Sequence, residues 1–93
     1  MRYLTLVVVM LPVGCSSTID ANDYARQCSD AAECRVISVG DICDCGCEMS
    51  AINVTDYPRY QDDRNGISCN NNCGACPGGV AVCRSGVCEA EPQ

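Results

Sequence analysis

The apolar residues of this chain are concentrated near its amino-terminal end. Leu4 to Val13 form a run of ten residues that only Thr5 and Pro12 interrupt, and Arg2 precedes it. A positive residue, an apolar run of about 7–15 residues and then small residues are typical of a secretory signal peptide, whereas a membrane span needs about 18 or more. We therefore predict a signal peptide over residues 1–14, in preference to a buried strand or helix, and export of the remaining chain.

β-Branched residues predict a first hairpin in the exported part. Residues 35–39 favour a strand, Gly40-Asp41 is a two-residue turn signal, and the chain would return through Ile42. In a returning strand, alternate side chains share one face. The sulfur atoms of Cys43, Cys45 and Cys47 would then lie on one face. Their side chains would be too far apart and too parallel to bond to one another, so each cysteine would need a separate partner.

A second hairpin is predicted near the carboxyl-terminal end. Val80 to Glu89 folds back across Ser85-Gly86, which is another turn signal. This register sets Cys83 opposite Cys88, and the two could either bridge each other or reach distant partners. The Asn- and Gly-rich residues that precede this hairpin are predicted to form a loop.

The strongest helix signal covers residues 53–67. Thr55 is a capping residue, and Tyr57, Tyr60 and Arg64 fall on one stripe. Asn65-Gly66-Ile67 resembles a glycine C-cap followed by an apolar residue. The two tyrosines could form a binding face. In a chain without Phe or Trp, however, large aromatic rings more often fill the core, and we expect them there.

Two shorter helical segments are predicted before it. Asp20 or Asn22 can cap a helix over residues 23–28. Residues 28–34 fit one helical turn, in which Asp30 and Glu33 have capping-box spacing.

The composition of the exported part excludes a large apolar core. Of the 93 residues, the 79 that follow residue 14 contain no Leu, Phe or Trp and only eleven Ile plus Val. A short secreted chain with so few apolar residues and so many cysteines is typical of a disulfide scaffold, in which each bridge contributes about 2–4 kcal/mol. We predict a small disulfide-rich α+β domain with two short β-hairpins, one or two short helices and about five disulfides, formed by Cys28, Cys34, Cys43, Cys45, Cys47, Cys69, Cys73, Cys76, Cys83 and Cys88.

The exported part is acidic. It carries five Arg and no Lys against twelve Asp plus Glu, a net charge of about −7 (5 − 12). Because this surface would repel a polyanion, we expect no nucleic-acid partner and no charge-driven binding to anionic membranes. The acidic groups are interpreted as a solvated surface.

Cys15 stands at the end of the apolar run, in a motif that resembles a known processing site. Val13-Gly14-Cys15-Ser16 resembles the lipobox of bacterial lipoproteins, although Pro12 stands where that family usually has Leu. The resemblance implies cleavage before Cys15, a diacylglycerol on its sulfur and acylation of the new amino group. Ser16 carries no inner-membrane retention signal, so the resemblance also implies an outer-membrane address.

Lipidation would explain the odd number of cysteines. A thioether cannot join a disulfide, so lipidation of Cys15 leaves ten cysteines to pair, and two or three acyl chains suffice for stable anchoring. Cleavage after Ser16 or Ser17 would discard Cys15 and also leave ten, and a free Cys15 is a third alternative. The preferred interpretation divides the chain into a signal peptide over residues 1–14, a lipidated tether over residues 15–21 and a cysteine-rich domain over residues 22–93.

The sequence offers no pattern for catalysis or metal binding. Cys73 and Cys76 have the C-x-x-C spacing of redox sites and zinc knuckles, but neither a βαβ unit nor a second matching pair accompanies them, and the chain has no His. Without histidine, a Ser-His-Asp or Cys-His site cannot form. Asp62-Asp63, with Arg59 and Arg64 nearby, is interpreted as a solvated helix face. We expect no catalytic residues, no bound metal and no cofactor.

The chain is therefore expected to be a non-enzymatic lipoprotein of the bacterial cell envelope. Its disulfide-bonded frame would hold loops for contact with an extracellular or periplasmic protein or a glycan, at a low entropic cost. Its attachment to the membrane would be through the lipid at Cys15. The alternative is a secreted protease-inhibitor-like or toxin-like effector, whose contact would be the loop from Asn70 to Gly79 or an arginine such as Arg84.

Overall fold

Each sheet in the described part of the chain is a pair of antiparallel strands. The computed structural model describes residues 17–70, 73–74 and 76–93. Within these residues there is one α-helix, α1 (Tyr57–Asn65). The strand pairs are β1 (Thr18–Ile19) with β3 (Gly40–Asp41), β2 (Cys34–Ser38) with β4 (Met49–Asn53), and β5 (Gly79–Arg84) with β6 (Val87–Pro92). Short 3-10 helices cover Ala21–Asp23, Ala31–Glu33, Ile42–Asp44 and Val54–Asp56.

The β2–β4 pair separates two buried clusters. Because successive side chains of a strand point to opposite faces, Ile37 and Ile52 face an apolar core on one side, while Cys34 and Ala51 face the β5–β6 hairpin on the other. On that second side Cys88 is 0% exposed. The domain is thus layered, with α1 and the amino-terminal segment on one face of the central pair and β5–β6 on the other.

The apolar core joins the amino-terminal segment, the central strands and α1. Its buried members are Ile19, Ala21, Tyr24, Ile37, Ile52 and Tyr60. Tyr57 packs against this cluster and lies beside Tyr60, with 5.6 Å between ring centroids, so the two helix tyrosines do belong to the core. Because Ile19 and Ala21 are buried, the packed domain includes residues 17–21, which the sequence pattern assigned to the tether.

The first predicted hairpin forms with a different second strand. The predicted turn at Gly40-Asp41 is wrong, because β2 pairs with β4, while Gly40 and Asp41 form β3 and pair with β1. The central pair is buried on both faces and therefore needs apolar residues on both. Ala51-Ile52 in β4 supplies one for each face, whereas the segment that directly follows the predicted turn contains only Asp44 and Gly46 between its cysteines.

The second predicted hairpin is confirmed. Ser85 and Gly86 both have a positive φ, of 54° and 78°, as a two-residue turn matched to the twist of antiparallel strands requires. Cys83 lies opposite Cys88 in the register. The two do not bridge each other; Cys83 bonds to Cys28 and Cys88 to Cys34.

The long helix lies within its predicted range, but its ends differ. The first turn is a 3-10 helix, and its capping side chain is Asn53, whose Oδ1 accepts from the Thr55 N–H at 2.9 Å, so the predicted Thr55 cap is wrong. At the other end Gly66 has a φ of −80°, which is right-handed and differs from the left-handed glycine cap. Ile67 then packs against the apolar core.

The predicted helix over residues 23–28 is wrong, although Asp20 does cap a helical turn. Asp20 Oδ1 accepts from the Asn22 N–H at 2.9 Å, and the 3-10 helix then ends in extended backbone at Tyr24. The next residues make backbone hydrogen bonds to the strands instead: Ala25 O accepts from Asn53, and Arg26 O from Cys88, both at 2.7 Å. The predicted turn within residues 28–34 is confirmed at Ala31–Glu33.

Five disulfides complete the predicted small disulfide-rich α+β fold. The pairs are Cys28–Cys83, Cys34–Cys88, Cys43–Cys69, Cys45–Cys73 and Cys47–Cys76, with Cα–Cα distances from 5.4 to 6.0 Å. These distances lie in the usual range for disulfides. Two bridges join the central pair and the preceding segment to the β5–β6 hairpin, and three join irregular segments.

Two predictions fall on residues that the structure does not describe. The signal peptide over residues 1–14 and the lipidated Cys15 both lie outside the described ranges. Within those ranges, no helix is both long enough and apolar enough to cross a membrane.

Candidate binding cleft

Three consecutive disulfides join two segments that lack a buried core. We call Cys43–Cys69, Cys45–Cys73 and Cys47–Cys76 the disulfide ladder. None of the described residues in 39–48 or 67–78 is buried. Val39, Ile42 and Ile67 pack only partly buried against the apolar core, so the three covalent bonds add a constraint on the relative position of these segments.

The first of these segments is not the extended strand predicted from the alternating cysteines. Ile42–Asp44 is a 3-10 helix, and Cys45 and Cys47 have left-handed φ values of 60° and 58°. Such values cost about 1–2 kcal/mol per non-glycine residue, so they must be imposed by surrounding constraints such as the ladder bonds. The expectation that these cysteines reach three separate partners is correct.

Hydrogen bonds fix the base of this segment. The Val39 N–H donates to Glu48 O at 3.0 Å, which closes the segment at its two ends. Asp41 Oδ1 accepts from the Cys43 N–H at 3.1 Å and from Ser17 Oγ at 2.8 Å. The segment is therefore fixed to the amino-terminal strand as well as to the ladder.

A cleft of about 300 Å³ lies between this segment, the ladder and the end of α1. Its volume is at the lower end of the range of about 300–1,000 Å³ for small-molecule sites. The walls combine polar, apolar and disulfide groups, contributed by Ser38, Val39, Asp41, Ile42, Glu48, Arg64 and residues of the ladder.

Arg64 is the basic residue of this cleft, and it is half-buried. Its side chain makes no hydrogen bond or ion pair with another described residue. The other arginines of the described chain all have partners: Arg26 donates to Cys88 O at 2.7 Å, Arg35 lies over Tyr57, Arg59 pairs with Asp56, and Arg84 pairs with Glu89 and Glu91.

The two acidic residues of the cleft differ in their hydrogen-bond partners. Asp41 accepts the two hydrogen bonds given above. Glu48 is exposed, and its carboxylate has no hydrogen-bond or ion-pair partner among the described residues. It lies against Gly40, where a Cβ would collide with Glu48 Oε1, and Gly40 also has a φ of 81°. Within the described part of the chain, the cleft therefore has one cation, Arg64, and one anion, Glu48, that pair neither with each other nor with another side chain.

The other candidate groups are already engaged. Cys73 and Cys76 of the C-x-x-C pair bond to Cys45 and Cys47 and do not bond to each other. The Sγ atoms of three further cysteines lie within 4.8 Å of one another, but all are in disulfides and offer no thiolate to a metal; these are Cys28, Cys34 and Cys88.

One residue of the acidic Asp62-Asp63 pair on α1 has a structural role. Asp63 Oδ2 accepts from the Tyr24 hydroxyl at 2.6 Å, across 39 residues of sequence. Burial and this hydrogen bond both raise the pKa of Tyr24 above its ordinary value. Asp62 remains exposed, as predicted for a solvated face.

The sequence pattern places Arg64 on a helix face and Asp41 in a predicted turn, and it assigns Glu48 no role. No local motif joins these residues, since the ladder and the β1–β3 pair bring them together from distant positions. The chain matches no protein-family model, and no curated protein or solved structure matches it either.

Proposed function

We propose that this protein is a non-enzymatic bacterial lipoprotein, exported and anchored through Cys15, that displays a disulfide-bonded binding module on the cell envelope. The observation that carries the proposal is the pairing of all ten cysteines from Cys28 to Cys88. No cysteine of the chain is left to form an intramolecular disulfide with Cys15. A thiol in a lipobox-like motif, in a chain rich in disulfides, is suited to lipidation after export.

The binding role is supported by the cleft. The ladder constrains its walls before any ligand arrives, so little conformational entropy would be lost on binding. The absence of histidine from the sequence, together with the bonding of the ten described cysteines, supports a role in binding over catalysis.

Anchoring would place this cleft close to the membrane. Ser17 is two residues after Cys15, a distance of at most about 7 Å in extended chain. Ser17 Oγ donates to Asp41, which lines the cleft. The ligand would then be met at the membrane-proximal end of the domain.

The alternative function as a protease inhibitor has less support. Arg84, the candidate contact residue, is paired with Glu89 at 3.1 Å and with Glu91. An arginine that must enter a protease pocket would first have to leave both carboxylates. A panel of serine and cysteine proteases assayed with the purified protein tests this function directly.

Metabolic labelling with radioactive palmitate tests the anchor. We expect label in the native protein and none in Cys15→Ala, while the double variant Cys45→Ala/Cys73→Ala keeps its label, because it removes two thiols and leaves the lipobox intact. Intact mass after reduction and alkylation should show a diacylated amino terminus and ten modified cysteines. A mature protein that begins after Cys15 and carries no label would contradict the anchor.

A further inference from the structure

We propose that the cleft binds a small zwitterion, with its anionic group on Arg64 and its ammonium group on Glu48. This inference names the ligand class of the cleft and so rests on the binding role proposed above, but it does not depend on the lipid anchor. Both residues line the cleft, and no ion pair joins them within the described chain.

Arg64 supplies the first half of this site. It is half-buried at the end of α1 and has no partner among the described residues, whereas every other described arginine has one. A guanidinium presents several N–H donors in a planar fork that matches a carboxylate or a phosphate with two parallel hydrogen bonds. An unpaired guanidinium on a residue that lines a cleft is therefore suited to an oxyanion.

Glu48 supplies the second half. Its carboxylate is unpaired in the described chain, while that of Asp41 already accepts from Cys43 and Ser17. An ionised carboxylate makes its strongest hydrogen bonds with charged donors, of which an ammonium group is the simplest.

Simpler ligands leave part of this site unsatisfied. A plain anion that reached Arg64 would also meet the negative charges of Asp41 and Glu48, and a plain amine on Glu48 would leave the Arg64 guanidinium without a partner. A molecule with both charges satisfies both unpaired groups at once. The cleft volume of about 300 Å³ limits the bound part to a small molecule or a small headgroup.

The test is a titration of the exported protein, isotopically labelled and with its disulfides intact, followed by amide chemical shifts in NMR. Glycine, β-alanine, γ-aminobutyrate and ε-aminocaproate vary the separation of carboxylate and ammonium, and phosphoethanolamine replaces the carboxylate by a phosphate. Butyrate and butylamine are the matched probes with one charge each. We expect saturable shifts at residues of the cleft for at least one zwitterion and weaker binding of both single-charge probes.

Three variants localise the effect. Arg64→Gln and Glu48→Gln should each weaken binding of the best zwitterion by about tenfold or more, the loss expected for a hydrogen bond to a charged group. Arg64→Lys should restore part of the affinity. Arg84→Gln removes the same charge from the β5–β6 hairpin and should change the affinity by less than about twofold.

Binding by no zwitterion, equal binding of butyrate, or full affinity in a folded Arg64→Gln protein would each overturn the proposal. The preferred probe identifies the source of the anion, a carboxylate or a phosphate. Palmitate labelling reports on the anchor separately, so failure of the zwitterion site leaves that result unchanged.

Discussion

At the scale of single residues, polar side chains connect layers that few apolar residues hold together. Arg26 is the main example, because its guanidinium donates to Cys88 O in β6, to Ala51 O in β4 and to Ser50 Oγ. One side chain thereby joins the two strand pairs. The chain has few apolar residues for the same purpose, and hydrogen bonds from a charged donor are stronger than neutral ones.

The raised pKa of Tyr24 leads us to expect that the free energy of unfolding falls at alkaline pH. Burial and Asp63 raise its pKa above the ordinary value of about 10. Because the pKa of Tyr24 is higher in the folded protein, Tyr24 ionises first in the unfolded chain. The stabilising contribution of its neutral hydroxyl is therefore complete below about pH 10 and is lost as the pH rises towards the folded-state pKa. Denaturant midpoints measured across this alkaline range should fall in the native protein and fall less in Tyr24→Phe.

Tyr57→Phe is the matched control, since it leaves the hydroxyl of Tyr24 on Asp63. It should keep the alkaline loss. Asp63→Asn should bring the pKa of Tyr24 closer to its ordinary value in a tyrosinate absorbance titration. An alkaline loss of the same size in Tyr24→Phe would show that another group is responsible.

At the scale of elements, turn geometry determines one hairpin and tertiary partners determine the other. The β5–β6 hairpin needs only two residues with positive φ, which Ser85 and Gly86 supply locally. The β2–β4 pair is closed over a segment of ten residues, 39–48, whose path depends on the ladder and on β1.

Gly86→Ala tests the local part of this argument. A Cβ at Gly86 would meet no atom within 4 Å, so the cost comes from the φ of 78° alone, and we expect a loss of about 1 kcal/mol in the free energy of unfolding. Gly74→Ala is the control, because a Cβ there also meets nothing within 4 Å and no positive φ is involved. Its effect should stay within about 0.5 kcal/mol. Equal losses in chemical denaturation would exclude the backbone explanation.

At the scale of the whole molecule, the disulfides contribute to stability in two different ways. Cys34–Cys88 lies in a buried cluster with Ala51, so it contributes packing as well as a cross-link. Cys45–Cys73 is the middle member of the ladder, and its neighbours on both sides close nearly the same chain loops. The loop-closure entropy lost with the middle bridge is therefore small.

Removal of single bridges should separate these contributions. Cys34→Ala/Cys88→Ala should lower the free energy of unfolding by about 2–5 kcal/mol, since it removes a bridge and leaves a cavity. Cys45→Ala/Cys73→Ala should lower it by about 1 kcal/mol or less. Guanidinium unfolding without reductant measures both, and a larger loss in the ladder variant would contradict this division.

The sequence by itself determined the features that depend on composition and local geometry. The shortage of apolar residues and the number of cysteines predicted the disulfide-rich fold, and Ser85-Gly86 predicted the second hairpin. A helix within residues 53–67 follows from the tyrosine stripe, which is a local signal, whereas the predicted caps differ from the observed helix ends.

Only the tertiary structure decided the partner of β2, the pairing of the cysteines and the composition of the cleft. A strand pattern specifies that a partner is needed but not which segment supplies it, and ten cysteines admit many pairings. Arg64 and Glu48 line one cleft because cross-links and strand pairs between distant residues place them there. Such proximity depends on long-range contacts, which no local pattern of residues encodes.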